Sequence, residues 1–166
     1  ISSSASAVNA SSAARPASGE MALPDQGWKL IWNQHSSPVL SNAVQDFQDY
    51  LEKAMDVRVA AEGHESLDGW QSQKQCIVVG TREQLPGCGA VLKGAKDYEL
   101  VATPERLTIC GFDERGAMSG LYNLEARMNL REAPFLPKDL KTVRHSLYDT
   151  RMVMSWMGWM EWPDSL

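Results

Sequence analysis

The sequence predicts an α+β domain. One largely antiparallel sheet carries two helices on one face, as a two-layer sandwich. Three observations predict it. Two stretches, residues 38–55 and 114–128, repeat apolar residues at helical spacing. Two short apolar runs, residues 98–103 and 107–110, are joined through Thr103-Pro104-Glu105-Arg106. A connection that short makes an antiparallel hairpin. Cys76-Ile77-Val78-Val79 is an apolar, largely β-branched run closed by Gly80-Thr81, which is the pattern of a buried strand.

In chain order, residues 1–23 form a leader whose first part is mostly Ser and Ala. It has no hydrophobic period and cannot bury enough surface to offset the entropy of ordering. The first residue is Ile, which fits a removed secretory signal or another trimming event. Asn9-Ala10-Ser11 is a glycosylation sequon, meaningful only in a eukaryotic secretory protein. Residues 27–33 carry two tryptophans and read as a strand. Ser37 then caps a helix with Pro38 at its first position. Leu40, Val44, Phe47, Leu51 and Met55 share one face of that helix, with polar residues on the others. Residues 57–61 alternate as a strand, and residues 62–75 are a polar loop. After the hairpin Asp113 caps the second helix, whose stripe is Ala117, Leu121, Leu124 and Met128. Gly116 and Gly120 each weaken that helix by up to about 1 kcal/mol relative to Ala. Their presence is explained if the helix backbone lies close to the sheet. Pro134 and Pro137 mark a linker.

Composition excludes several classes. The chain has 166 residues, a formal net charge of -5 and 43% hydrophobic residues. A packed core is within reach, and the charge argues against nucleic-acid or anionic-membrane partners. No apolar run approaches the roughly 20 residues of a membrane span. The three cysteines, Cys76, Cys88 and Cys110, allow at most one internal disulfide and fit no zinc spacing. Cys76 and Cys110 are expected as small buried hydrophobes beside strands. No cofactor is expected. His35, His64 and His145 lack ligand-like neighbours and are expected in loops or at the surface. Asp113-Glu114 is explained by helix capping and the macrodipole. The glycines form no phosphate loop.

Several segments together resemble a known family. They are Ile77-Val78-Val79-Gly80-Thr81, Asp97-Tyr98-Glu99-Leu100, Leu107-Thr108-Ile109-Cys110-Gly111, Arg115-Gly116, Gly120-Leu121-Tyr122 and Leu124-Glu125. The pattern is similar to the small non-catalytic N-terminal α+β domain of β-N-acetylhexosaminidases, α-glucuronidases and related glycoside hydrolases. It covers about residues 28–137, within a domain placed at residues 24–137. Asp56 stands where the family usually has Gly. The resemblance implies that residues 138–166 are a linker and the first strand of a (β/α)8 barrel. It also implies that Arg151 sits where these enzymes carry a sugar-binding Arg, whose fork of donors suits vicinal hydroxyls. Met152 replaces the small residue usual after it.

Residues 152–162 crowd four methionines and three tryptophans together. A strand buried on both faces explains the methionines. Trp159 and Trp162, beside Gly158 and Pro163, are placed as a loop at the strand's end, where barrels carry their sites. The expected substrate-binding residues are therefore Arg151, Trp159 and Trp162, with no catalytic residue and no metal ligand.

The function expected is that of an accessory domain in a secreted, periplasmic or cell-surface glycoside hydrolase, steadying the catalytic barrel of the same parent chain. Carbohydrate is met through that enzyme. An alternative is a stand-alone carbohydrate-binding or surface-interaction module using the Trp-rich segment. An exposed run of that composition is also expected to drive self-association.

Overall fold

Every residue of the strand Cys76–Thr81 is buried, as a run apolar on both faces requires. The computed structural model describes residues 15–147. In chain order its elements are β1 (Glu20–Ala22), β2 (Trp28–Asn33), α1 (Pro38–Met55), β3 (Val59–His64), β4 (Cys76–Thr81), β5 (Tyr98–Thr103), β6 (Arg106–Gly111), α2 (Glu114–Arg131), β7 (Phe135–Pro137) and β8 (Lys141–Arg144). A single 3-10 turn, Trp70–Ser72, interrupts the loop after β3.

The main sheet has six strands in the order β3-β2-β4-β6-β5-β8. Its direction is mixed, where a largely antiparallel sheet was expected. β2 runs parallel to both β3 and β4, and β4 runs parallel to β6. Only the β5–β6 hairpin and β8 are antiparallel. The reason lies in the connections. α1 carries the chain from β2 to a parallel β3, and the long loop after β4 precedes a hairpin that returns β6 beside β4.

Two boundaries also differ from expectation. β1 pairs with β7 as a separate two-stranded ribbon, and Met21 and Leu23 are buried in the main core. Residues 20–23 therefore belong to the domain and not to the leader. β8 pairs with β5 over Lys141–Arg144, so the domain extends past the expected limit at Pro137. The loop expected from residue 62 starts later, because β3 continues to His64 in register with Asn33.

Both helices pack on one face of the sheet, as expected. Leu40, Val44, Phe47 and Leu51 of α1 meet Leu30, Ile77 and Val79 from the strands, with Ala117, Leu121, Leu124 and Met128 of α2 in the same core. α2 lies very close to the strands. A Cβ at Gly120 would come 2.5 Å from Ile109 Cγ2, and one at Gly116 would come 2.2 Å from the carbonyl oxygen of Asp97. The helix accepts two poor helix formers because nothing larger fits beneath it. α1 ends at Asp56 with φ of 54°, a left-handed conformation usually given to Gly but tolerated by Asp.

The opposite face is covered by loops. Ile31, Cys76, Val78 and Cys110 meet Leu67, Leu85 and Leu92 there. Cys110 is not a free hydrophobe: it forms a disulfide with Cys88, 22 residues away, and so ties the loop after β4 to β6. Cys76 is the remaining thiol, fully buried, and burial pushes its pKa up.

Candidate functional site

The residues expected to contact sugar, Arg151, Trp159 and Trp162, lie outside the described residues. Among the described residues no group of three or more His, Cys, Asp or Glu could hold a metal ion. The candidate sites among the described residues are the polar clusters of the domain itself.

The carboxyl ends of parallel strands, next to helix N-termini, are where open α/β sheets bind anions. Here the ends of β2, β4 and β6 bring the starts of α1 and α2 together, but the domain's own side chains fill the place. Asp113 accepts the Gly116 N–H at 2.8 Å and caps α2, as expected. Ser37 stands at the start of α1 but makes no cap bond within its helix. Its N–H is instead taken by Glu114, 3.0 Å from Oε1, and its hydroxyl also bonds to Glu114. Glu114 thus puts a negative charge at the positive end of α1. Beside it Gln84 bridges the Thr81 N–H and the Ser36 hydroxyl. Neither the sequence spacing nor capping rules point to Glu114, because its partner is 77 residues away.

The most concentrated polar contacts belong to Asp97, which is only 3% exposed. Oδ2 accepts the N–H of Lys93 at 2.9 Å and of Gly94 at 3.1 Å. It also faces His145 Nδ1 at 2.7 Å, while Oδ1 accepts the Ser146 N–H at 2.8 Å. Burial pushes this carboxyl up. The bond from His145 and the three backbone N–H groups outweigh that and hold it well below the usual carboxylate range. The backbone oxygen of Asp97 accepts the Phe112 N–H at 2.8 Å. His145, expected in a loop or at the surface, has a side chain 43% exposed and faces the Asp97 carboxyl. Sequence reasoning had no signal for this contact across 48 residues.

Two further polar features are structural in character. A 250 Å³ cleft near the end of α2 is lined by Arg127, Leu130 and Phe135, and by Glu20 and Arg131. Glu20 and Arg131 pair across it at 2.9 Å, and the bond holds the Glu20 carboxyl low. Between the helices, Tyr50 donates to the Glu125 carbonyl at 3.2 Å, and its own pKa is pushed up to about 12, chiefly by burial. Glu125 Oε1 is buried there without a hydrogen-bond partner. None of these places a nucleophile beside a base, or an acid opposite a carboxylate across an open sugar-sized site.

Comparison with known proteins gives a likeness of fold alone. No family model matches the chain, and no curated protein matches it. Among solved structures it is similar to a family GH115 4-O-methyl-α-glucuronidase with specificity for decorated arabinogalactans. That match has a TM-score of 0.52 and 12% identity, and covers 76% of this chain but 18% of the enzyme. A GH138 enzyme targeting pectin rhamnogalacturonan II matches at a TM-score of 0.47, with 9% identity over 70% of this chain and 15% of that one. A β-N-acetylhexosaminidase from Bacteroides fragilis matches at 0.44, with 17% identity over 78% and 22%. The chain thus spans less than a quarter of the structures it resembles. The likeness to the glucuronidase is one of fold, shared with a part of that longer chain. Among the described residues no helix is long and apolar enough to cross a membrane.

Proposed function

We propose that the chain is a non-catalytic accessory domain of a glycoside hydrolase acting on hexosaminide- or glucuronide-containing glycans. Its role is to pack against a (β/α)8 barrel and steady it. The observation that carries this reading is the fold it shares with part of an α-glucuronidase, of which the match covers 18%. On this reading the barrel begins near Thr150. Arg151 then contacts sugar hydroxyls from the first barrel strand, and Trp159 and Trp162 stack on sugar faces at its end. A secreted or cell-surface setting is supported by the Cys88–Cys110 disulfide, since such bonds persist in oxidising compartments.

The test compares the 166-residue chain with the complete product of its reading frame. Both are assayed on aryl N-acetylhexosaminides and aryl glucuronides. Turnover is expected from the longer product alone. Turnover by the 166-residue chain, abolished by changing one of its own residues, would sink the proposal, and so would a longer product with no glycosidase activity.

A further inference from the structure

Asp97 joins parts of the domain that are distant in sequence. We infer that it is a positioning residue which, with His145, fixes the direction in which the chain leaves the outermost strand of the sheet. Its two oxygens hold two successive residues: His145 through its ring at Oδ2 and Ser146 through its backbone N–H at Oδ1. Two bonds from adjacent residues to different oxygens restrain backbone rotation after Arg144 as well as distance. The carboxylate cannot swing to follow them. Lys93 and Gly94 grip it from the loop before β5, and its own carbonyl is bound by Phe112 and pressed against Gly116.

The strand before it would be a weak hold by itself. β8 has four residues, none of them fully buried, and lies at the edge of the sheet. The carboxylate is also an expensive way to fill a gap, because an ion taken out of water must regain its solvation from neighbours. An apolar residue would pack the same space with less penalty. What the carboxylate adds is direction. The hold ends one residue later, where Leu147 is 84% exposed.

The consequence for an enzyme rests on the reading given above, in which Arg151, six positions after His145, meets the sugar. The hold itself does not depend on that reading, so it is tested on this chain.

The experiment is amide hydrogen exchange on the 166-residue chain, read at Ser146, Leu147 and Val78. The Ser146 amide should exchange at least about tenfold more slowly than its unprotected rate, as a bond to a charged acceptor implies, while Leu147 exchanges freely. Asp97→Asn should remove most of that protection and leave Val78, in the centre of the sheet, protected. If Asp97→Asn loosens Val78 as well, the exposed-side change His145→Ala decides. It should speed exchange at Ser146 several-fold with Val78 unchanged. Ser146 exchanging as fast as Leu147 in the parent sequence would overturn the inference, as would unchanged Ser146 protection in His145→Ala. Either result stands whatever the longer product proves to hydrolyse.

Discussion

Glu114, in the first turn of α2, accepts the backbone N–H of Ser37 at the start of α1, with oxygens at 3.0 and 3.2 Å. One helix therefore caps its neighbour. The arrangement satisfies an orphan donor and sets a negative charge against the positive end of α1. Glu114→Ala should lower stability by about 1 kcal/mol, the usual loss when an N-cap acceptor is removed. Glu114→Gln keeps a neutral acceptor and should lose less. Urea midpoints of the two variants give the comparison. Equal midpoints for Glu114→Ala and the parent would show that the contact contributes nothing.

The packing of α2 gives a second expectation. A Cβ at Gly120 meets Ile109 Cγ2 at 2.5 Å, a branch carbon that cannot swing away. Gly120→Leu should therefore overpack and cost about 1–3 kcal/mol or more. The opposing gain in helix propensity is about 1 kcal/mol at most. A denaturant midpoint above that of the parent would mean that the helix stands farther from the sheet than described.

The elements with a local cause were legible in the sequence. The helix stripes are set by side chains three and four positions apart, and the hairpin by a short turn. Asp113 caps a helix whose start it immediately precedes. The glycines of α2 forecast close packing because their penalty needed a reason. What was not legible depends on partners far along the chain. Strand direction in the first half of the sheet follows from how α1 crosses over, which periodicity does not report. Glu20–Ala22 read as leader because three residues show no pattern until Phe135–Pro137 lies beside them. Cys110 looked like an apolar filler because its partner, Cys88, sits in a loop. The Asp97 cluster is of the same kind, since its ligands come from residues 93–94 and 145–146.

Stability should depend on pH through two carboxyls of opposite sign. Burial, and then the charge of Asp46, push Glu125 above its ordinary value. A raised carboxyl favours the folded state at low pH, and that contribution is lost as pH rises through the folded pKa. Asp97 is held below its ordinary value, so its contribution is present above that value and is lost as pH falls beneath it. Glu125→Gln should remove the first effect alone. Its thermal midpoint should then fall less than the parent's as pH rises from the ordinary carboxylate range, with the acid limb unchanged. Parallel curves for the two proteins over that range would show that Glu125 is not the group responsible.

The placement of β8 decides where the domain can be cut. Lys141–Arg144 covers one edge of β5, and Leu140, buried in the core, accepts the Ala102 N–H at 2.8 Å. Ending the chain after Pro137 removes both, and it removes the partners of Asp97 at residues 145 and 146. It would leave β5 as an unpaired edge and Asp97 as a buried charge missing two of its contacts. Ending after Leu147 keeps all of them and discards the Met- and Trp-rich run. The chain ending at 147 should be monomeric and unfold cooperatively. The chain ending at 137 should unfold several degrees lower, or associate through the bared edge. The full 166-residue chain, which keeps the Met- and Trp-rich run, should self-associate more than the one ending at 147. Light scattering and thermal unfolding of the three side by side give the order. A chain ending at 137 as stable as the one ending at 147 would mean that β8 is dispensable, and that the domain closes at Pro137 as the sequence first suggested.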